Sequence, residues 1–204
     1  MAILRPLPPF DERPESLGDR AASDLRFIRS TMERSGRFTA VPGWGGVFMG
    51  AVGLLAASVS SFTTTPDAWI LTWLMAAGVA ISGGGLALGR KATQQDQPLG
   101  RGHGRMFVLG LCPPILAGAV LTIVLHRAEL THLLPSVWLL LYGAAVLAGG
   151  AYSVLTVSLT GVVFMLLGIV AAFAPATWGT PLLAVGFGGV HCVSGILIAR
   201  SHGG

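Results

Sequence analysis

Residues 156–199 contain no Asp, Glu, Lys or Arg, and one imidazole, His191. The loop Pro175-Ala176-Thr177-Trp178-Gly179 divides this stretch into two apolar runs of about 20 residues each. At about 1.5 Å per residue, a helix of that length matches a hydrocarbon core of about 30 Å, so the pair reads as a transmembrane hairpin. Four further runs share this character. The expected spans are residues 43–61, 68–89, 106–125, 135–152, 156–174 and 180–199, and none holds a formally charged side chain. Only 11% of the chain is charged, against roughly a quarter in soluble domains. Strands of outer-membrane barrels are shorter, about 10 residues, and alternate in polarity, which these glycine-rich runs do not. The expected fold is all-α: a polytopic membrane helical bundle with six transmembrane helices and an N-terminal amphipathic helix, cytoplasmic or interfacial.

Residues 1–15 read as an extended tail, with Pro6, Pro8, Pro9 and Pro14. Over residues 16–36, Leu17, Ala21, Leu25, Ile28 and Met32 recur at helical spacing and form one apolar face. Ser16 suits the start of that helix and Gly36 its end. Arg20, Arg26, Arg29 and Arg34 lie off the stripe and are expected near anionic lipid. The alternative is a helix beneath the bundle or against a partner. The bundle itself occupies residues 43–200, entered at Pro42 and Trp44.

Lysine and arginine sort by side. Seven precede the first span, four lie between residues 90 and 105, and Arg200 follows the last; only Arg127 falls on the opposite side. The positive-inside rule then places both ends in the cytoplasm and supports an even number of spans. This sorting explains the net charge of +4 without nucleic acid. The two cysteines, Cys112 and Cys192, fall inside apolar runs and suggest no disulfide framework.

A faint parallel repeat relates Val47-Phe48-Met49, Gly53 and Ala56-Ala57 to Val163-Phe164-Met165, Gly168 and Ala171-Ala172. The segment Phe27-Ile28-Arg29-Ser30-Thr31-Met32-Glu33-Arg34, the junction over residues 39–46, and the ending Gly186-Phe187-Gly188-Gly189-Val190-His191 with Ile198-Ala199-Arg200 together resemble a family of small bacterial multi-span inner-membrane proteins. That resemblance implies a location in the bacterial inner membrane and no particular activity. More loosely, Gly161, Gly168, Pro175, Gly186 and Gly195 are similar in pattern to acid-resistance membrane proteins built from three hairpins.

The spans lack the buried carboxylates and cations that ion-driven transporters retain. The sole lysine, Lys91, lies outside them, and no nucleotide loop, HExxH helix or GxSxG elbow is present. Catalytic residues, cofactors and metals are therefore not expected. Depth counting places Cys112, His191, Cys192 and Ser82 in one layer, a composition that could hold a soft metal but that packing explains as well. On the outer side His126, Glu129 and His132 cluster in sequence, a possible metal or proton-sensing site, with a solvated loop as the default. Small residues four apart, as at Gly46/Gly50, Gly85/Gly89, Gly110/Pro114/Gly118 and Ala145/Gly149, suit helix packing within the bundle, a homo-oligomer or a larger membrane complex. The leading functional expectation is a non-catalytic structural, accessory or regulatory membrane protein. A passive pathway for a small neutral solute, lined by Ser82, Thr122, Tyr142 or Thr160, is the alternative. An intramembrane enzyme centred on His191 is the third.

Overall fold

The computed structural model describes residues 18, 20, 22–28 and 37–202. Among them the regular structure is helical, apart from one isolated parallel bridge between Phe38 and Ser153. Six helices are long and apolar enough to cross a membrane: α1 (Gly43–Ser60), α2 (Pro66–Gln94), α3 (Gly102–Arg127), α4 (Leu134–Gly150), α5 (Leu155–Phe173) and α6 (Ala176–His202).

Local chemistry sets the helix ends. Pro66 occupies the first turn of α2, and the Thr65 hydroxyl accepts from the Ala68 N–H at 3.2 Å. Pro135 opens α4 in the same way. Several helices outrun the expected spans. α2 continues through Arg90 and Lys91 to Gln94, and α3 begins at Gly102 and runs to Arg127. The hydrophilic loop expected over 90–105 therefore shrinks to residues 95–101. Bilayer thickness sets a minimum helix length, and nothing at 90–94 stops the helix, so it carries on beyond the apolar run. α3 also runs through Pro113 and Pro114 as one helix.

Glycines make two close seams. Along α1, Gly43, Gly46, Gly50 and Gly53 face Ala199, Gly195, Cys192 and Phe187 of antiparallel α6. A Cβ at Gly50 would stand 2.8 Å from the Cys192 nitrogen. In the hairpin of α4 and α5, Gly150 meets Ser158, Gly161 meets Leu147, Gly143 meets Met165 and Gly168 meets Leu140. Between apolar helices in lipid, close backbone approach is a principal source of attraction, and only glycine permits it here. α3 joins α4 where Gly110 crosses Gly149, and α2 joins α1 where Phe48 and Met49 cover Gly83 and Gly84. The order of neighbours is α2, α1, α6, α5, α4, α3, and α2 and α3 make at most marginal contact with each other.

At the end where α1 starts and α6 finishes, residues 37–41 are threaded into the bundle. Phe38 donates its N–H to Tyr152 at 2.7 Å and accepts from the Ser153 hydroxyl at 2.7 Å. The Gln97 side-chain oxygen accepts from the N–H groups of Thr39 and Ala40, and its amide donates to the Thr39 hydroxyl. Lys91, buried, donates to the carbonyls of Val41 and His202 at 3.1 and 3.0 Å. Phe38, Ala40, Ala92, Phe107 and Ile198 form a core cluster at this end.

The N-terminal unit is separate in its contacts. Within it residues 22–28 are helical, with Leu25 and Ile28 exposed. Ser23 donates to the Arg20 carbonyl, and Arg26 donates to that of Ala22. Gly18 and Arg20 are helical too, and the remainder of the expected helix, including Leu17, Met32, Arg29 and Arg34, lies outside the described residues.

Candidate functional site: a cleft between the second and third helices

Because α2 packs on α1 and α3 on α4, a gap is left between α2 and α3. It holds a cavity of about 280 Å³ whose walls come from α1, α2, α3, α4 and α6. Most of its lining is carbon: Ala76, Ala77 and Ala80 of α2, and Ile115, Gly118 and Ala119 of α3. The deepest wall is aromatic, made by Trp73, Trp138, Tyr142 and Phe187 with His191.

A row of side chains runs on from the Trp138 wall of the cleft. Trp69 of α2 stacks on Trp138 of α4, ring centroids 5.4 Å apart and planes 4° apart. The Trp69 indole donates to the Thr180 hydroxyl of α6 at 2.9 Å. The Trp138 indole donates to the Thr122 hydroxyl of α3 at 2.8 Å, and that hydroxyl donates to the Gly118 carbonyl. Four helices are thus tied at one level. At the other end, Leu88, Leu99 and Val108 pack on the cluster built around Phe38 and Phe107. The cavity lies between the two helices that do not pack on each other.

At the floor, the Tyr142 hydroxyl lies 2.7 Å from His191 Nε2. The two side chains share this one hydrogen bond, and its direction depends on which imidazole nitrogen carries the proton. Phe164 and Phe187 flank the pair: their ring centroids are 4.8 and 5.0 Å from Tyr142, and Phe187 lies nearly parallel to the imidazole at 6.1 Å. The backbone at Gly186 and Phe187 runs beside the imidazole, yet Nδ1 closes no hydrogen bond of acceptable geometry.

The placement of His191 depends on an irregularity in α6. Residues Ala184–Val190 form a π-helical segment, and His191 follows it directly. One residue more per turn than an α-helix leaves room for Phe187 to turn inward while Gly188 faces Leu54 of α1. A Cβ at Gly186 would stand 2.7 Å from Leu139 Cδ2, so a side chain there would make Leu139 shift.

The residues expected in one layer do not converge. His191 is buried and paired with Tyr142. Cys192 turns to α1, its thiol donating to the Val47 carbonyl at 3.9 Å. Cys112 and Ser82 are exposed. Among the described residues no group of three or more His, Cys, Asp or Glu side chains is placed to hold a metal. On the far side, His126, Glu129 and His132 are all exposed, and His126 lies 3.5 Å from Asp67 at the start of α2. Trp73 and Trp138 were missed as site residues; nothing in the apolar pattern separates an indole that lines a cleft from one that sits at the membrane surface.

With a neutral histidine–tyrosine pair surrounded by carbon and aromatic rings, the site is suited to holding an uncharged molecule. It offers no carboxylate or ammonium to pass a proton onward. No family model, curated protein or solved structure matches the chain, so the resemblances drawn from its sequence stand as resemblances.

Proposed function

We propose that this is a multi-pass protein of the bacterial inner membrane, both ends cytoplasmic, with a non-catalytic accessory or regulatory role. It acts by holding a small neutral molecule drawn from the lipid phase. The observation that carries this reading is the cleft of about 280 Å³ between two helices that leave each other uncovered. An apolar pocket with a few convergent polar groups is the usual form of a small-molecule site. Twelve of the thirteen basic residues on one side support the orientation. Anionic lipid near Arg20, Arg26, Arg29 and Arg34 remains the expected partner of the N-terminal segment.

A pathway for a neutral solute gains the cavity and two of its anticipated residues, Thr122 and Tyr142, while Ser82 and Thr160 are not in the lining.

Tryptophan emission tests access from the bilayer. In a Trp44→Phe/Trp178→Phe background, which removes the two exposed indoles, acyl chains brominated near their ends should quench the interior tryptophans. Ala119→Phe, which fills the cleft, should restore emission. Equal quenching with and without Ala119→Phe would sink the reading.

A further inference from the structure

The cleft wall presents no free hydrogen-bonding side chain among the described residues. The Trp138 indole is spent on Thr122, and the Thr122 hydroxyl on the Gly118 carbonyl. The Tyr142 hydroxyl and His191 Nε2 serve each other. Trp73 Nε1 and His191 Nδ1 have no partner, but both are sealed inside the wall and do not open onto the cavity. A polar group brought here would lose its water and gain nothing in return. The cavity is also drawn out along the helices. On α2 it runs from Trp73 to Ile81 and on α3 from Pro114 to Thr122, about 12 Å in each case. Leu74, Ile81 and Ile115 belong both to its lining and to the exposed surface, so it is open on the side between α2 and α3.

We infer that the cleft takes a hydrocarbon tail of a membrane lipid, which enters sideways between α2 and α3 and leaves its head outside. This rests on the cleft being a ligand pocket within a bilayer. A wall without free donors or acceptors selects hydrocarbon over any functional group. A slot parallel to the helices selects a chain that already lies in that direction. Such a chain crosses no water on its way in, and the part held is neutral whatever the head. Position along the helices names the leaflet. The cavity begins six residues in from Asp67 on α2 and five in from Arg127 on α3, about 8–9 Å. From the opposite side it begins nine residues in from both Arg90 and Arg105, about 14 Å. The tails of one leaflet fill about 15 Å, half of the hydrocarbon core. A lipid with its head beside Asp67 and Arg127 therefore runs its tail well into the cavity, and one from the opposite face ends at its edge. With both chain ends cytoplasmic, the donor is the outer leaflet.

The test uses the full chain in nanodiscs doped with diacyl phospholipid that carries a diazirine at mid-chain or at the chain end. Labelled residues are mapped by mass spectrometry. The mid-chain probe should label Trp138 and the chain-end probe Phe187, both on the cleft wall. Each should also label outward residues such as Val79 and Leu116. Ala119→Phe, which fills the cleft, should remove the label from the wall and leave that on Leu116. Ala77→Phe fills it from α2 and serves if Ala119→Phe unfolds. An aryl diazirine without a tail is run alongside as a compact neutral guest. Wall label from the tail-less probe alone would overturn the lipid tail and leave the pocket standing. No wall label from any probe, or wall label that neither variant reduces, would remove the pocket and this inference together. Label on Phe187 from the chain end with none on Trp138 from mid-chain would place the head on the opposite face and overturn the leaflet assignment.

Discussion

Two glycine stripes, one on α1 and one on α2, look alike in sequence and differ in every contact. Gly43, Gly46, Gly50 and Gly53 of α1 are pressed against the backbone of α6. Gly78, Gly85 and Gly89 of α2 have nothing within 4 Å of where a Cβ would stand. Spacing makes a helix face flat; it does not say what comes to lie on it. The same contrast separates whole helices. Half of the span at α4 is buried, but only 6% of that at α3 and 17% of that at α2. The seams fix the four inner helices, while α2 and α3 stand each on one neighbour. That difference is what leaves a cleft.

The largest expected effect comes from breaking a seam. At Gly161 a Cβ would lie 2.5 Å from the Leu147 nitrogen and 2.8 Å from the Gly143 carbonyl oxygen, both backbone atoms that cannot step aside. Gly161→Leu should cost more than about 4 kcal/mol, and no folded bundle should survive mild detergent in size-exclusion chromatography. Next comes the threaded segment. Gln97→Ala removes the acceptor of the Thr39 and Ala40 N–H groups, the latter in a fully buried residue. A loss of about 2–3 kcal/mol should appear in denaturant unfolding. Smaller still is Thr122→Val, which leaves the Trp138 indole without its acceptor. About 1–2 kcal/mol should be lost, with a shift in tryptophan emission. The smallest effect should have the opposite sign. Gly85→Ala meets open space and replaces a poor helix former, so stability should rise by about 0.5–1 kcal/mol. If Gly85→Ala destabilises as a seam variant does, a second copy or partner covers that face, and the two stripes are alike after all.

The six helices could be read from charge-free runs, each of a length and apolarity that suits a membrane-crossing helix. So could the inward position of His191, since an imidazole among apolar residues needs a partner. Gly46/Gly50 and Ala145/Gly149 could be recognised as packing positions, though not their partners. What could not be read is direction around a helix axis. Depth counting put Cys112, Ser82, Cys192 and His191 at one height. Height says nothing about azimuth, and Cys112 and Ser82 face outward. The π segment at Ala184–Val190 resets azimuth partway along α6. Three glycines there hint at irregularity without specifying it. Trp73 escaped notice for a related reason: its unmet donor depends on what surrounds it in space, including Phe187 of α6.

Lys91 of α2 reaches the carbonyls that precede α1 and end α6, and α1 and α6 share a seam along their length. In space, the first and last helices are therefore adjacent staves of a nearly closed ring. The order in which the ribosome delivers the helices is only one way round it. A linker from residue 202 to residue 37, which keeps the threaded segment, with a new opening at residues 128–130, should yield a permuted chain with the same neighbours. Its α3 would then be the last helix made, and the cleft would close around its contents only at that final insertion.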